Sequence, residues 1–67
     1  MKLFLDLAMS VADAIAEVRT LSVGSSAVTW NSKGPRAELE GDMAELLVAG
    51  EQLTGETDEV LRGWIKR

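Results

Sequence analysis

The sequence predicts an α+β fold in which a long N-terminal helix is followed by a small β-hairpin, a second helix packed antiparallel on the first, and a short C-terminal helix. Three patterns predict it. Apolar residues recur at spacings of three and four over residues 2–21. β-forming residues interrupted by turn formers occupy 26–40, and capping residues precede further apolar stripes over 42–54 and 57–66. A chain of 67 residues forms one small domain, and an all-α arrangement is the alternative.

The expected first helix, residues 2–21, carries more apolar surface than one helix face needs. At about 100° per residue one stripe contains Phe4, Leu7, Val11, Ala14, Val18 and Leu21. Leu5 and Met9 fall beside that stripe, on a flank otherwise made of charged side chains. Because so short a chain has little else to cover them, we expect both to contact a partner or a second copy.

The expected hairpin, residues 26–40, places Val28 and Trp30 on one face of its first strand. Its turn contains Lys33, and in a ring-shaped assembly we expect the hairpin around this residue to project toward another ring. Two assignments remain for residues 36–40. The alternation of apolar and polar residues favours a second strand, whereas Pro35, which suits the first position of a helix, favours the beginning of a helix. Trp30 is expected to anchor the core.

The expected second helix, residues 42–54, has the clearest boundaries. Asp42 can cap its N-terminus, and Glu45 completes a capping box. Gly55 suits the C-terminal cap. Gly50 interrupts the apolar stripe, and the expected reason is close approach of the first helix.

The short helix expected over 57–66 has Thr57 as its cap, acidic residues in its first turn and basic residues in its last. Trp64 can anchor the core or, within an aromatic and basic tail, dock to a partner. The interface predicted for the whole chain therefore consists of Leu5, Met9, Lys33, Arg62, Trp64, Ile65, Lys66 and Arg67.

Composition narrows the classes of function. Cysteine and histidine are both absent, which removes thiolate and imidazole metal ligands and the commonest general base. We expect no cofactor, no metal and no enzymatic activity. The net charge of −4 disfavours nucleic acid without excluding it, and no apolar run is long enough to span a membrane. The expected partner is another protein or further copies of this chain in a homo-oligomer.

Residues 10–54 resemble the small head–tail joining proteins of tailed phages, the lambda W type. The resemblance rests on Ala12–Arg19 closing the first helix, on Val28–Gly34 in the hairpin, and on the spacing of Asp42, Met43, Leu46, Leu47 and Leu53. It implies a non-enzymatic subunit that assembles as a ring beneath the portal and joins head to tail, located in the cytoplasm or the virion.

A second resemblance, over Leu53–Arg62, is to ribbon–helix–helix repressors and antitoxins. It implies a dimer in which Ala27–Asn31 forms the DNA-reading ribbon, with Thr29 and Asn31 facing the major groove. The excess of acidic over basic residues suggests a third possibility, an inhibitor that binds a basic protein surface.

Overall fold

The computed structural model describes residues 1–24 and 26–66 and has a mixed α+β fold, as predicted. The elements follow one another as β1 (Lys2–Asp6), α1 (Val11–Arg19), β2 (Ser26–Asn31), β3 (Gly34–Glu40), α2 (Met43–Thr54) and α3 (Asp58–Trp64). The strands form one antiparallel sheet in the order β1-β3-β2. The described helices include none long and apolar enough to cross a membrane.

The prediction of one helix over 2–21 is wrong for residues 2–10, of which Lys2–Asp6 form strand β1. Leu3, Leu5 and Leu7 are buried, whereas the alternate residues Phe4 and Asp6 are exposed. This period of two is the pattern of a half-buried strand, and β3 supplies the backbone partner that stabilises it. Helix α1 begins only at Val11.

Strand β3 lies in the centre of the sheet and resolves the open assignment of residues 36–40 as strand. It forms a tight hairpin with β2, closed by the pair Asn31 and Gly34. Gly34 has φ of 123°, a conformation that favours glycine. On its other side β3 pairs with β1, with Leu3 opposite Leu39 and Leu5 opposite Ala37.

The hydrophobic core lies against one face of this sheet. Its buried side chains come from all parts of the chain: Leu3, Leu5, Leu7, Ala14, Val18, Ala37, Leu39, Leu46, Leu47, Ala49 and Leu61. Helix α1 packs mainly on β2 and β3, whereas α2 packs mainly on β1 and α3. Both helices therefore pack on the sheet, which provides each with its own apolar surface. The antiparallel packing of the second helix on the first stays a prediction.

Gly50 permits a close approach, but with other elements than predicted. A Cβ atom at this position would lie 2.7 Å from Cδ2 of Leu61 and 3.2 Å from Cδ2 of Leu3. The glycine therefore lets α3 and β1 approach α2. Leu3 belongs to the segment predicted as the first helix, so that segment does approach Gly50, but as a strand, and the contact with Leu61 was not predicted.

The predicted boundaries of α2 are confirmed by its capping geometry. The Glu45 backbone N–H donates to Oδ1 of Asp42 at 2.8 Å, and Oε1 of Glu45 accepts from the Asp42 N–H at 3.3 Å. Gly55 ends the helix with φ of 73°. Thr57 caps α3 as predicted, its hydroxyl oxygen accepting from the Val60 N–H at 3.4 Å.

Candidate protein-binding cleft

The second face of the sheet presents side chains to solvent, and no helix of the described part of the chain covers it. Since Leu3 and Leu5 point into the core, the alternate positions of β1 point outward and expose Phe4 and Asp6. The same alternation exposes Arg36 on β3. An aromatic and two charged side chains thus share the outer face near one edge of the sheet.

The C-terminal end of α3 is held against that edge by a short backbone bridge. The Lys2 N–H donates to the Lys66 carbonyl at 2.7 Å, and the Lys66 N–H donates to the Lys2 carbonyl at 2.8 Å. The bridge follows α3 directly, so it fixes Trp64 beside β1. A surface cleft of about 630 Å³ lies between, lined by Phe4, Asp6, Arg36, Gly63, Trp64 and Lys66. We refer to these residues as the aromatic cleft.

One end of the aromatic cleft is organised by a polar network. Oδ1 of Asp6 accepts from Nδ2 of Asn31 at 2.7 Å and from Nε of Arg36 at 3.2 Å. The Asn31 hydrogen bond, helped by the Arg36 guanidinium, lowers the pKa of the Asp6 carboxyl from its ordinary value. Because these residues belong to the three strands, the network orients Arg36 on the outer face.

The charge of the aromatic cleft differs in sign from that of the whole chain. Its lining carries Arg36 and Lys66 against Asp6, whereas the chain has a net charge of −4. Asp6 is paired with Arg36, and the Lys66 ammonium makes no ion pair among the described residues. Phe4 and Trp64 remain 36% and 43% exposed at its sides. The arrangement suits an apolar side chain beside a carboxylate.

The structure brings together only part of the predicted interface. Trp64 and Lys66 line the aromatic cleft. Arg62 is exposed in the last turn of α3, whereas Ile65 is half-buried against the core. Arg67 lies outside the described residues.

The prediction that Leu5 and Met9 lie on an exposed helix flank is wrong. Leu5 is fully buried in β1, and Met9 is half-buried against the core. Lys33 is exposed in the hairpin turn as expected, but it does not line the aromatic cleft. The reason is that residues 2–6 follow the period of two of a strand, which turns Leu5 toward the core.

Trp30 is also placed differently from its prediction. The sequence predicts Trp30 as a core anchor, but its side chain is 71% exposed, more than the other large apolar side chains of the described chain. Trp30 lies on the same face of β2 as Val28, as the alternation predicts, but it is next to Asn31, the last residue of the strand before the hairpin turn. The alternation of the sequence predicts the face of a strand residue, but it does not predict whether the core extends to that end of the strand.

Phe4, Asp6 and Arg36 are cleft residues that the sequence interpretation did not identify. The signal for them was present in the alternation from Lys2 to Leu7, which exposes every second residue. The pairing of Asp6 with Arg36 across the sheet depends on the register of β1 and β3, which a single sequence does not encode locally.

A second groove lies between the segment that follows α1 and helix α2. It has a volume of about 350 Å³ and is lined by residues 20–23 together with Ala44, Glu45, Val48, Ala49 and Gln52. Val48 is 58% exposed there. The described residues that line this groove include no aromatic side chain and no cation. The aromatic cleft is therefore the stronger candidate for binding. The described residues contain no cluster of acidic side chains suited to a metal ion.

Comparisons of this chain with protein-family models, with curated proteins and with solved structures found no match. The geometry of the aromatic cleft and of the sheet is therefore the basis of the functional proposals.

Proposed function

We propose that this chain is a non-enzymatic assembly subunit that binds another protein through the aromatic cleft. The observation that carries the proposal is the pair of exposed aromatic side chains, Phe4 and Trp64, beside the Lys66 ammonium. Aromatic side chains that stay partly exposed at a rigid cleft are typical anchors of protein interfaces.

The chemistry of the aromatic cleft specifies the kind of segment it binds. An aliphatic or aromatic side chain of the partner inserts between Phe4 and Trp64, which removes apolar surface from water. A neighbouring carboxylate of the partner meets Lys66, and the Arg36 guanidinium retains further donors for it. The ligand is thus a protein segment with an apolar residue next to an acidic one.

In its most specific form the proposal is a phage-type connector subunit. The order helix, hairpin, helix that carries this resemblance corresponds to α1, the β2–β3 hairpin and α2. Strand β1 and helix α3 lie outside that order and together form most of the aromatic cleft. In a connector, the aromatic cleft would be a contact with the adjoining protein, and Lys33 in the hairpin turn would reach a second one.

The test selects peptides from a random library on the immobilised protein and measures the affinity of the enriched peptides in solution. We expect enriched sequences to place an apolar residue beside Asp or Glu. Trp64→Ala and Phe4→Ala should each weaken binding about tenfold or more, since truncated anchors commonly lose that much. Lys66→Glu should weaken the same peptides and reduce the salt dependence of binding.

Val48→Ala is the matched control, because Val48 is an exposed apolar residue outside the aromatic cleft. It should leave the affinity unchanged, and circular dichroism should show that all four variants remain folded. Failure to enrich any peptide, or enriched peptides that bind Trp64→Ala and Phe4→Ala as tightly as the unchanged protein, would contradict the proposal.

A further inference from the structure

The outer edge of β2 has backbone groups directed away from the sheet. The Leu7 N–H donates to the Pro35 carbonyl at 2.9 Å. The backbone polar groups of the odd-numbered residues of β3 therefore point toward β1. The even-numbered residues of β3 therefore bond toward β2, as the hydrogen bond from the Gly24 N–H to the Glu40 carbonyl confirms at 2.8 Å.

The register then identifies which groups of β2 are free for a partner. Thr29 lies opposite Arg36, and the backbone N–H and C=O groups of Thr29 point toward β3. Backbone direction alternates along a strand, so the N–H and C=O groups of Val28 and Trp30 point outward. No described strand pairs with them, because β2 is the end of the sheet.

The two edges of the sheet differ in their protection. At the β1 edge the backbone bridge from Lys66 occupies Lys2, and Lys2 and Asp6 place charges there. The sequence of β2, SAVTWN, has no charge and no proline. Soluble proteins usually protect an open edge by such means, so a strand without them is suited to pairing.

We propose that β2 pairs antiparallel with β2 of a second copy, which joins the two sheets into one of six strands. In the register centred on Thr29, Val28 of each copy lies opposite Trp30 of the other. This register gives four backbone hydrogen bonds and two cross-strand pairs of a tryptophan with a β-branched residue, a combination favourable in sheets. It explains why the most exposed large apolar side chain lies on an open edge.

A second copy fits this edge for two reasons. The paired segment carries no charge, so the net charge of −4 on each chain does not oppose close contact of the strands themselves. Moreover, a contact of an edge with its own copy has two-fold symmetry and closes at the dimer. The inference is independent of the aromatic cleft, which lies at the β1 edge.

The test measures the mass of the purified protein by light scattering and sedimentation equilibrium over a concentration series. We expect a concentration-dependent doubling of the mass, with weak affinity because the interface is small. Trp30→Pro removes an outward N–H without touching a hydrogen bond to β3, and it should keep the protein monomeric over the same range. Trp30→Lys, which places a charge on the edge, should do the same if the proline variant fails to fold.

Trp64→Ala is the matched control, since it truncates the other tryptophan and leaves the β2 edge intact; it should dimerise like the unchanged protein. Amide hydrogen exchange adds a local readout, because the N–H groups of Val28 and Trp30 should become protected as the concentration rises, while that of Phe4 should not. A monomer at all concentrations, growth beyond a dimer, or a Trp30→Lys variant that dimerises normally would overturn the proposal. Peptide binding to the aromatic cleft is measured separately, so either proposal can fail without the other.

Discussion

The packing of α2 against α3 and β1 can be tested by replacing Gly50 with alanine. In a free helix this change stabilises by about 1 kcal/mol, because glycine has the lower helix propensity. In this fold the added methyl group would lie 2.7 and 3.1 Å from the two δ-carbons of Leu61. Carbon atoms prefer a separation of about 3.5–4.0 Å, so the methyl group overlaps the leucine.

The net effect follows from how little room the neighbours have. Leu61 and Leu3, the side chains around the new methyl group, are both fully buried, so neither can rotate into solvent. Overpacking of this kind costs about 1–3 kcal/mol. After the helical gain of about 1 kcal/mol, we expect Gly50→Ala to destabilise the fold by up to about 2 kcal/mol. At about 4–8 °C per kcal/mol for a domain of this size, the melting temperature should fall by several degrees.

Gly63→Ala is the matched control, because a Cβ atom at Gly63 in α3 meets nothing within 4 Å. It should raise the melting temperature slightly through helix propensity. Both variants and the unchanged protein are compared by thermal and urea unfolding followed by circular dichroism at one fixed protein concentration. A Gly50→Ala variant as stable as Gly63→Ala would refute the close approach of α2 and α3.

Two further predictions concern β1 and the polar network. Leu5→Ala should destabilise by about 2–5 kcal/mol in urea unfolding, because Leu5 is fully buried, whereas Phe4→Ala should cost clearly less; equal losses would show that the strand register is wrong. Asn31→Ala should raise the pKa of Asp6 toward its ordinary value in a carboxyl NMR titration, since the lost hydrogen bond is the main cause of the lowered pKa. Because the folded pKa lies below the unfolded one, Asp6 contributes stability above the unfolded pKa that is lost as the pH falls through the folded pKa. The variant should lose part of this pH dependence, and an unchanged Asp6 titration would contradict the assignment.

Elements with strong local signals were predictable from the sequence. The capping box of Asp42 and Glu45 and the glycine cap at Gly55 define α2 through neighbouring residues only, and the structure has all three where expected. The hairpin turn before Gly34 is equally local. In the candidate site, Trp64 and Lys66 were predicted because an aromatic and basic tail is visible in the sequence itself.

The N-terminal segment shows where such prediction fails. Residues 2–9 satisfy a period of two through Leu3, Leu5 and Leu7, and they also fit a helical stripe through Phe4, Leu7 and Val11. So short a segment fits both the period of a strand and that of a helix. The strand forms because β1 pairs with β3, which lies far away in the sequence and places Leu39 opposite Leu3. Treating residues 2–9 as helix predicts an exposed Leu5 and does not place Phe4 in the candidate site, whereas the strand buries Leu5 and exposes Phe4.

The sequence by itself determined the caps of the second and third helices, the hairpin turn and the overall acidity, because each depends on composition or on residues a few positions apart. The tertiary structure decided which segments pair and therefore which side chains are exposed. It buried Leu5, exposed Trp30 at an open edge, and joined Phe4 of β1 with Trp64 of α3 in one cleft. The physical reason is that strand pairing and helix packing connect residues far apart in the chain, and their free energy depends on the whole fold rather than on local propensity.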